Sequence, residues 1–245
     1  DVNIELQGVS KRYGEVSALD RIDLTIAPGE RVGLIGPNGS GKSTLVRAIM
    51  GIVRCEGLVS LDGLDPFADR TRLAGRVSCV PQAAPQLGAT VGDVVAAVAA
   101  LRRLDVGDIR ETARAMGLDV QAVRGRPVRA LSGGTRQKLL IALALAGPMS
   151  LLILDEPTAS LDAGSREAFF RLSQARIGSG TLLLSSHRLE EVRRLVDRVV
   201  ALVDGRVVLD IPAGDPSRSG RFGAGAADPH GPALALCSAE VTLRA

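Results

Sequence analysis

Arg31-Val32-Gly33-Leu34-Ile35-Gly36-Pro37-Asn38-Gly39-Ser40-Gly41-Lys42-Ser43-Thr44 is the stretch on which the fold turns. Arg31 to Ile35 reads as a short apolar strand, Gly36 to Gly41 as a glycine-rich turn, and Lys42 to Met50 as a helix. Gly36 to Ser43 fits G-x-x-x-x-G-K-[ST], and a strand before and a helix after are the context this motif requires. Glycines let successive backbone N–H groups turn inward around phosphate oxygens, and the N-terminus of the following helix favours negative charge. Lys42 then reaches the β and γ phosphates of a nucleoside triphosphate, and Ser43 holds Mg²⁺. Gly36, Pro37, Asn38, Gly39, Ser40, Gly41, Lys42, Ser43 and Thr44 are the candidate phosphate-binding residues.

Such a site needs a second, carboxylate element to hold the metal and handle the attacking water. Leu151-Leu152-Ile153-Leu154-Asp155-Glu156 supplies it. Ser150 to Leu154 is a continuous apolar run of the kind buried in parallel sheets, and open α/β sheets place ligands at the carboxyl ends of their strands. Asp155 is the candidate Mg²⁺ ligand and Glu156 the candidate general base.

Outward from these two strands the pattern alternates. Asn3 to Val9 and Leu19 to Ile26 alternate apolar with polar residues, which predicts an antiparallel β layer. Leu58 to Leu61 and Arg76 to Val80 read as short strands, with a turn at Asp62-Gly63. From about Thr90 to Ala130 the spacing is helical and predicts an insert of two to four helices. Thr135 to Ala146 is helical until Gly147-Pro148 stops it. Ala163 to Ile177 then reads as helix, Thr181 to Ser185 as strand, Leu189 to Leu195 as helix, and Arg198 to Val203 with Arg206 to Leu209 as a hairpin about Asp204-Gly205. Repeated β-α alternation argues for a mainly parallel sheet with helices on its faces. From Pro212 to Pro232 nine of twenty-one residues are Gly or Pro, predicting a linker, and Leu234 to Leu243 reads as one short strand.

Composition narrows the class. The chain has 245 residues, 46% hydrophobic and 23% charged, with a formal net charge of +3, which excludes a disordered polar chain. A domain holds about 100 to 200 residues, so one large α/β unit with subdomains is expected. The most apolar stretches, Val94 to Leu101 and Leu139 to Ala146, fall short of the roughly 18 to 20 residues a spanning helix needs. The opening residues carry no basic-then-apolar export pattern, so a cytoplasmic location is expected. Cys55, Cys79 and Cys237 have neither disulfide nor zinc spacing and read as incidental thiols. Thirty basic residues, only three of them Lys, accompany one Tyr, four Phe and no Trp. Aromatic platforms for base stacking are scarce, and no nucleic-acid partner is expected. The seven Arg between Arg102 and Arg129 read as a solvated helical face.

Leu131-Ser132-Gly133-Gly134-Thr135-Arg136-Gln137, shortly before the Asp155-Glu156 strand, closely resembles the signature sequence of ATP-binding-cassette ATPases. Over about residues 3 to 211 the other elements match that family in order. The resemblance implies a P-loop NTPase (RecA-like) α/β fold: a mainly parallel sheet, an N-terminal antiparallel β layer and an α-helical subdomain at about 88–134. It implies an ATPase domain over 1–211 and a Gly/Pro-rich tail over 212–245. Tyr13 resembles the adenine-stacking aromatic, and Gln82 the glutamine that contacts Mg²⁺ and senses the attacking water. Asp162, in Ser160-Leu161-Asp162, matches the loop that communicates between sites, and His187 the histidine that contacts the γ-phosphate. Catalytic roles are thus expected of Glu156, His187, Gln82 and Lys42, and metal contacts of Ser43, Gln82 and Asp155.

In this family Ser132, Gly133, Gly134 and Gln137 face the ATP held by an opposing subunit, so the resemblance implies a head-to-tail dimer around two ATP. It further implies transmembrane permease subunits docking near Gln82 to Val91, with the chain peripheral on the inner face of the membrane. The compact insert resembles exporter-type cassettes, including those of type-2 membrane subunits. An importer cassette, a non-transport cassette ATPase and an ATP-binding scaffold are the other readings.

Overall fold

A computed structural model describes residues 1–213. In chain order the first elements are β1 (Ile4–Tyr13), β2 (Val16–Ile26), β3 (Arg31–Ile35), α1 (Lys42–Ile49), β4 (Glu56–Leu61), α2 (Arg70–Leu73) and β5 (Val77–Val80). Then follow α3 (Val91–Arg102), α4 (Val106–Ala115), α5 (Val120–Val123), a short 3-10 turn (Val128–Ala130) and α6 (Gly133–Leu145). The described chain closes with β6 (Leu151–Asp155), α7 (Ala163–Ile177), β7 (Thr181–Ser185), α8 (Leu189–Leu195), β8 (Arg198–Val203) and β9 (Arg206–Pro212). The linker and short strand expected after Pro212, with Cys237, extend beyond the described residues.

Two compact units divide the chain. One comprises Asn3–Ala68 and the residues from Leu183 onward. Its antiparallel layer, expected from Asn3 to Val9 and Leu19 to Ile26, is three-stranded in the order β2-β1-β4, because β4 also pairs with β1. Ile4 lies opposite Ile26 and Leu6 opposite Leu24, so Ile22, Leu24 and Ile26 bury one face while their neighbours stay exposed. In the second sheet β7, β3, β8 and β9 follow one another, with β3 and β8 parallel and β9 antiparallel at the edge. The β8–β9 hairpin turns at Asp204-Gly205, both at positive φ (48° and 75°), as a tight two-residue Asp-Gly turn requires. Arg198 ties the hairpin down, pairing with Asp210 at 2.7 Å and Glu30 at 3.0 Å.

The other unit comprises Asp1–Val2 and Asp69–Leu182. Here β5 and β6 run parallel, Val80 opposite Leu154, and β7 is next to β6 in the strand order. β6 is buried at every position, as its unbroken apolar sequence demands. The helical insert starts with a capping box: the Thr90 hydroxyl accepts from Asp93 N–H while the Asp93 carboxylate accepts from Thr90 N–H. Val95, Ile109, Val120 and Leu131 close its core against Leu139 and Leu143 of α6.

One expectation is corrected in this unit. Arg102 is not on a solvated face; its guanidinium donates to Leu143 O at 2.6 Å, Ala144 O at 3.3 Å and Pro148 O at 3.2 Å. The last carbonyls of a helix have no intrahelical donor, and Arg102 satisfies those at the end of α6. Burial lowers its pKa, but an arginine stays protonated. Arg102→Ala is expected to cost about 2 kcal/mol and lower the thermal midpoint by about 5 °C in a melting experiment.

Candidate functional site

In the unit containing residues 3–68, β3 ends at Ile35 and the glycine-rich turn begins. Gly36 and Gly41 have φ of +145° and +104°. A Cβ on Gly36 would collide with the Leu202 carbonyl oxygen, and one on Gly41 with that of Ala18. Only glycine fits at either position, which keeps the loop backbone bare. Lys42 is buried, and its Nζ donates to Gly36 O at 2.6 Å and to Pro37 O at 3.0 Å, so the cation lies over the start of the loop. α1 begins at Lys42 with no side-chain cap and no acidic residue in its first turn. A helix start left this way accepts an anion. Ser40 Oγ is buried with no hydrogen-bond partner, an orphan polar atom inside the same turn.

His187 belongs to this unit and follows β7. Ser186 N–H donates to Leu34 O at 3.3 Å, so the residue before His187 is pinned to β3 two residues before Gly36. Ser186 Oγ donates to the buried Glu191 carboxylate at 2.7 Å and accepts from Arg188 N–H at 2.9 Å, holding the chain on both sides of an exposed His187. Tyr13 ends β1 with its ring about half exposed (47%), and Lys11 Nζ lies 5.3 Å from the ring centroid.

In the other unit Asp155 is the last residue of β6 and Glu156 the next, both buried. Glu156 sits at φ 48°, a left-handed conformation that ordinary side chains rarely adopt and that clusters at functional sites. Gln82 lies two residues beyond β5 and is exposed, so it and the acidic pair leave neighbouring parallel strands at the same end. Cys79, opposite Ile153, has its thiol pushed up to about 12 by burial and then by the Asp155 charge. It stays protonated at neutral pH, in keeping with an incidental thiol.

Ser132 is the N-cap of α6: its hydroxyl accepts from Thr135 N–H at 3.2 Å and lies 2.7 Å from Thr135 Oγ1. Ser132 and Gly133 are exposed. Gln137, expected with them as a nucleotide contact, is instead buried against the chain. It is 3% exposed and donates through Nε2 to Pro157 O at 2.9 Å. Asp162 is the N-cap of α7, accepting from Ser165 N–H and Ser165 Oγ, each at 2.8 Å. Those two bonds, with Lys138 Nζ 3.4 Å away, lower its pKa to about 2. This capping role was readable from Asp162-x-x-Ser165 at the head of a helical run. Of the expected docking stretch, Leu87 is 40% exposed, whereas Val91 is fully buried in the helical core.

The residues fit the phosphates of a nucleotide: a glycine cradle that no Cβ can fill, a buried lysine across it, an uncapped helix start and an orphan hydroxyl. Among the described residues no group of three or more His, Cys, Asp or Glu side chains is placed to hold a metal.

The ABC transporter family model matches residues 19–159. A Nod factor export ATP-binding protein I from Sinorhizobium fredii (strain NBRC 101917 / NGR234) is 36% identical over 217 residues, 86% of this chain and 63% of that protein. The chain therefore spans slightly less than two thirds of that relative's length. The daunorubicin resistance ATP-binding protein DrrA3 from Streptomyces coeruleorubidus is 34% identical over 216 residues, 86% of this chain and 68% of that protein. A solved dimeric ATP-binding cassette, in a post-hydrolysis state bound to ADP and Pi, superposes with a TM-score of 0.74 at 26% identity, covering 85% of this chain and 98% of that one. With the glycine cradle, the acidic strand end and the serine-capped α6 already in place, these likenesses agree: the chain belongs to the ABC transporter family.

Proposed function

We propose that the chain is the ATP-hydrolysing subunit of an export-type ABC transporter, acting as a head-to-tail dimer on separate membrane subunits. The observation that carries the reading is the buried Lys42 cation drawn across a loop that only glycine can form. Gly36 to Thr44 bind the β and γ phosphates through backbone N–H groups, Lys42 and the start of α1, while the exposed Tyr13 ring receives the base. Ser43, Asp155 and Gln82 would hold Mg²⁺, which when bound neutralises charge developing on the phosphates.

Glu156 accepts the proton of a water whose oxygen attacks the γ-phosphorus in line as the bond to the β–γ bridging oxygen breaks. His187, held by Ser186 and Arg188, donates to the γ-phosphate. Ser132, Gly133 and Gly134 of a second copy close over the same phosphate. A dimeric cassette among the structural neighbours and relatives named for export or drug resistance support this arrangement. The relatives' names are those of transporter subunits; on this reading the chain lies peripheral on the inner face of the membrane, and the permease subunits dock at the exposed part of 82–91, around Leu87. Among the described residues no helix is long and apolar enough to cross a membrane.

Purified protein is expected to hydrolyse ATP with Mg²⁺ and to lose that activity with EDTA. Its turnover should rise with the cognate membrane subunits and stay unchanged with DNA or RNA. Stimulation by nucleic acid instead would replace the transporter reading.

A further inference from the structure

We infer that Gln137 is a positioning residue that lashes the signature turn to the Glu156 loop, and not a ligand of the nucleotide; the inference rests on the functional reading above. The Gln137 amide is buried on α6 and donates to Pro157 O, the carbonyl directly after Glu156. Proline has no N–H, so this carbonyl is the only main-chain hydrogen-bonding group at that residue. Two further observations place the same segment against the same helix. A Cβ on Gly134 would lie 3.0 Å from Ser160 O, so the first turn of α6 runs close against the loop, and Lys138 pairs with Asp162 at 3.4 Å.

Residues 157 to 162 are thus tied to α6 at their start by Gln137 and at their end by Lys138, with Gly134 leaving room for Ser160 between them. Glu156, immediately before this segment, sits in its left-handed conformation with its carbonyl accepting from Ala159 N–H at 3.3 Å. A helix moves as a rigid piece, and breaking the Gln137 bond leaves a buried carbonyl unsatisfied. A shift at Ser132 is therefore passed to Glu156 through Gln137. In a head-to-tail dimer, Ser132 touches the ATP of the opposing subunit while Glu156 acts on its own. Gln137 then makes each site's turnover depend on the occupancy of the other.

The test uses Gln137→Met, which keeps the unbranched shape and removes both amide donors, and Gln137→Glu, which sets an acceptor against the Pro157 carbonyl. Steady-state ATPase of the whole chain gives kcat and the Hill coefficient, fluorescent-nucleotide titration gives affinity, and a melting curve gives stability. The wild type is expected to show a Hill coefficient above one. In both variants kcat should fall about tenfold and the Hill coefficient should approach one, with nucleotide affinity held within about twofold. Weakened nucleotide affinity with cooperativity intact would make Gln137 a ligand and overturn the inference. A lower melting midpoint with the Hill coefficient unchanged would make it merely structural and also overturn it, as would a non-cooperative wild type. Glu156→Gln, run alongside, separates the two levels: if it fails to stop turnover, the functional reading falls, and if it stops turnover while the Gln137 variants behave as wild type, only the lash falls.

Discussion

Glu156→Gln retains ATP and stops turnover, leaving a dimer that light scattering detects at saturating Mg-ATP. The substitution keeps the side chain's length and shape, so the packing around the buried residue is not changed. The φ of 48° is borne by either residue at similar strain, because neither branches at Cβ. What the amide cannot do is take a proton from water at neutral pH. Loss of a positioned general base costs about 10²- to 10⁴-fold, and that drop is expected in kcat with nucleotide affinity retained. Removing a negative charge beside the γ-phosphate also relieves like-charge repulsion, which favours the closed pair. Steady-state hydrolysis at the wild-type rate would remove Glu156 from the role of base.

Lys42→Ala acts one step earlier, on binding itself. Its Nζ holds Gly36 O and Pro37 O and, on the reading above, adds charge-assisted bonds to phosphate oxygens. Hydrogen bonds to charged groups contribute about 1.5 to 3 kcal/mol each, so affinity should weaken by at least about tenfold to a hundredfold. The cradle also loses the cation that spans its two carbonyls, so less of the loop's order is prepaid before nucleotide arrives. A fluorescent-nucleotide titration measures the loss, with a melting curve run beside it to confirm folding. Affinity within about twofold of wild type would place the phosphates elsewhere.

Much of the architecture was legible locally. α7 over Ala163–Ile177, β7 over Thr181–Ser185 and α8 over Leu189–Leu195 appear as read, because each is an apolar or periodic run bounded by its own stop signals. The Asp204-Gly205 hairpin was equally readable, since its turn chemistry lies in two adjacent residues. The glycine loop and the acidic strand end were found from spacing alone because backbone freedom and strand termini are properties of contiguous sequence.

Other features were hidden. β4 was read as a strand, yet nothing near Glu56 says that it pairs with β1 some fifty residues earlier. Arg102 looked like one more solvated arginine because the carbonyls it satisfies lie 41 to 46 residues away. Gln137 shares a motif with exposed Ser132 and Gly133, but the motif does not say which face of α6 will be covered.

The sequence by itself determined where the backbone must be bare, where a helix or strand must begin and end, and which residue types stand at those points, because these follow from sterics and periodicity within a few residues. Tertiary structure alone decided the partners of the buried polar groups: Arg102 to the end of α6, Gln137 to Pro157, Ser186 to Glu191. A buried donor must find an acceptor, and which acceptor lies within reach is set by packing between segments far apart in the chain.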